Sequence, residues 1–118
     1  MPKTLGNPAQ RAPKHLQKTT QNWFKSVVED FDLELHHIKL LTLAAEAWDR
    51  TVAAREVIDR DGMTFLDRFD QPKARPEVAI ERDSRIAFAR LVRELALDGV
   101  DTPEAPRAPR TADYGNRR

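Results

Sequence analysis

Proline positions divide this sequence into a central segment that can fold and two ends that cannot form continuous helices. Six of the eight prolines lie near the ends, at positions 2, 8, 13, 103, 106 and 109. Proline fixes φ and lacks a backbone N–H, so it interrupts helices and strands. The foldable core is therefore residues 19–98, about 80 residues, which is enough for one domain but marginal without an oligomer or a bound partner.

The two ends differ in charge. Residues 1–18 contain Lys3, Arg11, Lys14 and Lys18 and no acidic residue. We expect a flexible basic arm, which is either an inert tail or a segment that contacts the phosphates of a polyanion. Residues 99–118 mix acids with four arginines and contain little that is apolar. Such a segment cannot bury enough surface to fold alone, so we expect a disordered tail or docking segment.

Apolar periodicity predicts helices one and two of the core. The first runs from about residue 20 to 31, capped by Thr19 or Thr20. Its apolar face recurs at helical spacing and contains Trp23, Phe24, Val27, Val28 and Phe31. The second runs from about residue 33 to 60, with Asp32 as its N-cap and Gly62 suited to the left-handed position after its end.

Helix two carries two adjacent apolar stripes. One contains Ile38, Leu41, Ala45, Trp48 and Val52, and the other Leu40, Ala44, Ala47, Thr51, Ala54 and Ile58. A helix of this length spans ~40 Å, which is longer than a compact core of this size needs. We therefore predict a cyclic oligomer whose interface is the face bearing Leu40, Ala44, Ala47 and Thr51. The alternative is the central helix of a monomeric bundle.

An extended excursion separates helices two and three. Residues 63–69 are rich in aromatic and β-branched residues, and residues 70–72 suit a turn, so a short hairpin or an irregular loop is expected. Pro76 suits the first turn of helix three, which runs to about Leu97 before Asp98-Gly99. Its predicted core stripe is Ile80, Ala87, Phe88, Leu91 and Leu95. The fold class is mainly α, with a three-helix core.

Nothing in the sequence indicates catalysis, a metal or a cofactor. There is no cysteine, no glycine-rich phosphate loop and no nucleophile motif. Adjacent His36 and His37 point about 100° apart on a helix and suit a shared ion poorly. No long apolar run is present, so we expect a soluble intracellular protein without a membrane partner. Arg82, Arg85, Arg90 and Arg93 can line a basic strip on helix three, although acidic residues interleave with them.

The order of motifs resembles one family. A Trp-containing helix is followed by the long helix LLTLAAEAWDRTVAAREVIDRDGMTF, a Gln-Pro-Lys loop and RPEVAIERDSRIAFARLVRELALD. Arg75-Pro76, Val78-Ala79-Ile80 and Arg82-Asp83 form the densest part of the pattern. From about Trp23 to Asp98 the chain is similar to the small subunits of bacteriophage terminases, the DNA-packaging enzymes.

This resemblance implies a non-enzymatic subunit of a viral genome-packaging motor. Family members form rings, recognise viral double-stranded DNA and regulate the ATPase and nuclease of the terminase large subunit. The chain is then expected in the host cytoplasm and not in the mature virion. The candidate DNA-binding residues are Arg11, Lys14, Lys18, Arg82, Arg85 and Arg90, with Lys3 a weaker candidate.

Two other functions stay open. One is a helical adaptor that binds only protein. The other is a small transcription regulator, although no clear helix-turn-helix spacing is present.

Overall fold

The fold is three α-helices with a small antiparallel hairpin between the second and the third. The structure is a computed structural model that describes residues 11–97. The elements are α1 Lys18–Asp30, α2 Leu35–Asp61, β1 Thr64–Leu66, β2 Pro72–Ala74 and α3 Pro76–Leu95. The predicted mainly helical class is confirmed, and the excursion is a hairpin. Within the described residues no helix is both long and apolar enough to cross a membrane.

The helix starts differ from their predictions for identifiable reasons. Thr20 caps nothing, because its side chain is buried and donates a hydrogen bond to Asp49 of α2. Helix α1 begins earlier than predicted, at Lys18, with Gln17 at the N-cap position. The N-cap of α2 is Glu34 instead of Asp32: the Glu34 carboxylate accepts the backbone N–H of His37, while His37 Nδ1 accepts the Glu34 N–H at 3.2 Å. This reciprocal pair is a capping box.

Gly62 ends α2 and redirects the chain. Its N–H donates to Ile58 O at 2.8 Å, and its φ of 88° is positive, as predicted for a glycine after a helix. Its ψ of 173° is extended instead of left-handed helical. The chain therefore leaves the helix directly into β1.

The apolar core lies at one end of the molecule, where α1 packs on the first half of α2 and the end of α3. Phe24 and Leu41 are the large side chains that are completely buried. We call this region the apolar end; its buried cluster is Leu16, Phe24, Val27, Val28, Ile38, Leu41, Ala45 and Leu95. Most of the large apolar residues predicted for α1 and the first stripe of α2 are in this cluster or pack against it.

The opposite region, which we call the hairpin end, contains the second half of α2, the hairpin and the first half of α3. Here the buried residues of α3 are polar, Glu81 and Ser84. Ile80, which the predicted core stripe included, is 39% exposed. The stripe is wrong at that position because the buried face passes through the neighbouring Glu81. Farther along α3 the prediction holds better, since Phe88 and Leu91 are half-buried and Leu95 is buried.

The chain before α1 is not a free arm throughout. Leu16 is 4% exposed and belongs to the core cluster, and Ala12 packs against it. The Gln17 N–H donates to the Asp49 carboxylate at 2.7 Å. Residues 12–17 are thus folded onto the helices, whereas the sequence predicted a flexible arm, because the burial of Leu16 and the bond from Gln17 anchor the segment. Lys3 and residues 98–118 lie outside the described residues.

Candidate DNA-binding and assembly surfaces

The predicted basic residues at and before the start of α1 belong to a segment that its neighbours hold in place. Leu16 is buried, and His15 Nε2 lies 2.9 Å from Glu46 Oε2. Arg11, Lys14 and Lys18 are all exposed, and none has an ion-pair partner within residues 11–97. No acidic residue lies in the first turn of α1. The anchored backbone therefore presents cations that are available to phosphate.

The predicted basic residues of α3 are not equivalent to one another. Arg82 pairs with its neighbour Asp83 at 3.2 Å, and both side chains are about two-thirds exposed. Such a pair contributes little and can exchange its carboxylate for another anion. Arg90 is exposed and has no ion-pair partner in the described part of the chain. It lies roughly 80° around the helix from Arg82 at 3.6 residues per turn.

Arg85 has a structural role. Its guanidinium lies 3.1 Å from Glu81 Oε1, and Arg55 of α2 approaches Glu81 Oε2 at 3.6 Å. The Glu81 side chain is only 10% exposed, whereas both arginines remain largely solvated. The three residues join α2 to α3, so Arg85 is less available to DNA than Arg82 or Arg90.

The predicted oligomer face of α2 is partly occupied within one chain. Ala44 is fully buried and Ala47 is 8% exposed, while Leu40 and Thr51 are half-buried. Leu40 packs against the core cluster. Little of either alanine is left for a neighbouring subunit, so an oligomer has to use other surface as well. The interface itself stays a prediction.

An aromatic cleft opens where the three helices meet. The Phe88 ring of α3 lies 5.1 Å from that of Trp48 and 5.8 Å from that of Trp23, both in tilted orientations. Thr19 and Thr20 complete the lining of a cleft of about 350 Å³. Trp48 is 45% exposed, an unusual state for a side chain of its size. The periodicity placed these aromatic residues on apolar faces, but it did not predict that they would leave an open cleft.

The hairpin exposes a second apolar surface. Met63, Phe65, Leu66 and Phe69 are 65%, 40%, 64% and 70% exposed. We call these four residues the apolar hairpin surface. The sequence predicted an extended conformation for residues 63–69 and a turn at 70–72, but the strand is only Thr64–Leu66, Phe69 lies in the turn, and Pro72 begins β2. No role was predicted for the four residues. The sequence feature that could have indicated a role is the density of large apolar residues, four in seven positions, in a segment with too few neighbouring residues to bury them.

The conformation of the hairpin is fixed by polar groups. The Arg75 guanidinium donates to the carbonyls of Asp61, Gly62 and Thr64 at 2.9–3.2 Å. At the turn, Asp67 Oδ1 accepts the N–H groups of Phe69 and Gln71 at 2.8 and 3.0 Å. Because these bonds close both ends of the hairpin, its exposed side chains are presented on an ordered backbone.

Metal-ligand clustering is not found among residues 11–97, where no group of three His, Cys, Asp or Glu side chains could hold an ion. The His36 and His37 rings lie 4.1 Å apart between centroids in a tilted orientation, and His37 takes part in the capping box of α2. Comparison with protein families, curated proteins and solved structures finds no match to this chain.

Proposed function

We propose that this chain is the small subunit of a phage terminase, a non-enzymatic protein that binds viral double-stranded DNA, assembles with copies of itself and regulates the large subunit. The observation that carries the proposal is the apolar hairpin surface, together with its place in the chain. It projects between the alanine-rich helix α2 and the Pro-initiated helix α3, the two segments on which the resemblance to that family depends.

The exposed apolar side chains support self-assembly. Several large apolar residues exposed close together mark an interaction site, and here they lie on both faces of the hairpin, since Phe65 and Leu66 are adjacent in β1. In this chain the group is on an ordered hairpin, so little conformational entropy is lost when it binds. A helical adaptor that binds only protein would use the same surface, and this is the competing function.

The exposed basic residues support DNA binding. They also distinguish the packaging function from the adaptor function. Arg11, Lys14 and Lys18 are exposed on an anchored segment, and the acidic residues that contact this segment, Glu46 and Asp49, bind His15, Gln17 and Thr20 instead of these cations. Each phosphate contact contributes a slope of about 0.9 to the dependence of log K on log salt. An adaptor has no need for these contacts.

The test is a DNA-binding titration at several salt concentrations. Deleting the basic segment is unsuitable, because it removes the buried Leu16. The variant is instead Arg11→Gln, Lys14→Gln and Lys18→Gln. The matched control neutralises three exposed cations elsewhere, Lys25→Gln, Lys39→Gln and Arg50→Gln, and has the same net charge.

We expect the first variant to weaken binding to all sequences and to lower the salt slope by up to about 2.7 per bound chain. The control should retain most of the affinity and slope. Equal losses in the two variants would show a response to net charge only and would contradict this DNA site. Absence of binding by the unmodified chain at low salt would contradict the packaging function and favour the adaptor.

A further inference from the structure

The apolar hairpin surface and the aromatic cleft are two unfilled surfaces on one chain, and they do not meet. Trp48 precedes the end of α2 at Asp61 by 13 residues, which is ~20 Å along a helix axis. No hairpin residue lines the cleft, and Phe69 is 70% exposed. Within residues 11–97 of one chain, therefore, the hairpin does not reach the cleft, and both surfaces stay uncovered.

We propose that the hairpin tip of one copy, led by Leu66 and Phe69, docks into the Trp23–Trp48–Phe88 cleft of a second copy. This inference rests on the self-assembly in the proposed function and identifies its contact. A contact between two different patches is heterologous, so each copy both gives a hairpin and receives one. Repetition of such a contact closes into a ring when the rotation between copies allows it.

The exposed area at the tip accounts for a substantial part of such a contact. Leu66 and Phe69 are 64% and 70% exposed, and their exposed parts amount to roughly 270 Å², taking about 200 Å² for a large buried side chain. A standard interface buries roughly 800 Å² per partner, a little over half of it apolar. The tip thus supplies more than half of the apolar share of one side of such an interface.

The two surfaces also agree in chemistry. Leu66 faces Pro72 across the strand pair, and residues directly opposite in a ladder lie on the same face. The tip therefore presents aliphatic and aromatic groups to a cleft lined by three aromatic rings and two threonines. Phe69 can add an edge-to-face contact to the tilted arrangement already present. A different protein seated on the hairpin would leave the cleft open, whereas a second copy covers both surfaces.

Disulfide trapping tests this contact, because the chain contains no cysteine of its own. Thr19 lines the cleft and is exposed, as is Phe69. Thr19→Cys and Phe69→Cys are made in separate proteins, mixed under conditions of subunit exchange and oxidised. The control mixture pairs Phe69→Cys with Lys39→Cys, an exposed position outside the cleft lining. A disulfide requires Cα atoms within about 7 Å.

We expect at least tenfold more cross-linked heterodimer in the first mixture than in the control. The double variant Thr19→Cys/Phe69→Cys should give a ladder of covalent oligomers, as a heterologous contact requires. Equal yields in both mixtures would overturn the proposal. As a measurement independent of cross-linking, Leu66→Asp/Phe69→Asp should give monomers with unchanged helical circular dichroism. An unchanged native mass would overturn the contact.

The same preparations distinguish the contact from the function. A cross-linked assembly that does not bind DNA supports the contact and contradicts the packaging function. An assembly that binds DNA but forms no Thr19–Phe69 cross-link contradicts the contact and leaves the packaging function standing.

Discussion

The apolar end and the hairpin end of this protein are built by different physical means. At the apolar end, side chains such as Phe24 and Leu41 are excluded from water, and three helices contribute to one cluster. At the hairpin end, where Ala54 is the buried apolar residue of α2, polar groups also join the elements: Glu81 is shared by arginines of α2 and α3, and Arg75 binds three carbonyls.

This difference has a consequence for function. The hairpin end buries polar side chains while Met63, Leu66 and Phe69 remain exposed. Glu77 also belongs to this end, and its buried Oε2 accepts no hydrogen bond within the described residues. This arrangement leaves apolar side chains exposed whose burial would stabilise the isolated chain. We infer that the apolar end supplies most of the stability and that the hairpin end is reserved for contact with another molecule.

The largest expected effect is at the apolar end. Leu41→Ala removes a side chain with no exposed surface, and leucine-to-alanine substitutions in cores cost about 2–5 kcal/mol. Urea unfolding followed by circular dichroism measures the loss. The matched control is Leu43→Ala, two residues along the same helix and 53% exposed, which should change stability by less than about 0.5 kcal/mol. Similar losses in both variants would contradict the assignment of the core.

The next effect concerns the junction between the two ends. Gly62 has φ +88°, and a Cβ atom there would meet nothing within 4 Å. Gly62→Ala should therefore destabilise through backbone strain alone, by about 1–3 kcal/mol. D-Alanine introduced by semisynthesis is the control, since its mirror-image preference suits a positive φ. If both alanines destabilise the protein equally, strain is not the reason for glycine at this position.

At the hairpin end, Glu81→Gln should remove the charge that two arginines share. We expect a loss of about 1–2 kcal/mol, the scale of charge-assisted hydrogen bonds whose partners can return to water. Asp83→Asn is the control, because the Asp83 side chain is 70% exposed and surface pairs contribute less than about 1 kcal/mol. An Asp83→Asn effect as large as that of Glu81→Gln would contradict the role of Glu81 in joining α2 to α3.

The smallest effect is the pH dependence at the end of α2. The hydrogen bond from Arg60 lowers the pKa of Asp61. A lowered pKa gives stability that is present above the unfolded value of about 4 and lost as pH falls through the folded value. Asp61→Asn should therefore be slightly less stable than the unmodified chain at pH 7, and the difference should disappear as pH falls through the lowered pKa of Asp61. A difference that persists at low pH would exclude this ion pair as its cause.

Local signals predicted most of the fold, because each helix has its own pattern. Apolar spacing located α1 and α2, and Gly62 and Pro76 marked the limits of the excursion. The N-cap of α2 was missed because it depends on a reciprocal bond between Glu34 and His37. The burial of Glu81 in place of Ile80 was also missed, since it requires Arg55 from another helix.

The candidate surfaces were less predictable for a related reason. Helical spacing shows that the Ala44 and Ala47 face is covered, but not whether its own chain or a neighbour covers it. Likewise, the sequence marks Arg85 as basic without showing that Glu81 occupies its guanidinium. The exposure of the apolar hairpin surface depends on where the helices end in three dimensions. Apolar spacing along the sequence does not show those positions.

Native mass spectrometry of the unmodified chain over a range of concentrations tests the central claim most directly. If the hairpin end is reserved for a second copy, the protein should convert from single chains to one closed oligomer of defined copy number, with no growth beyond it. A mass equal to one chain at every concentration, with the hairpin still ordered, would contradict self-assembly through this end of the molecule.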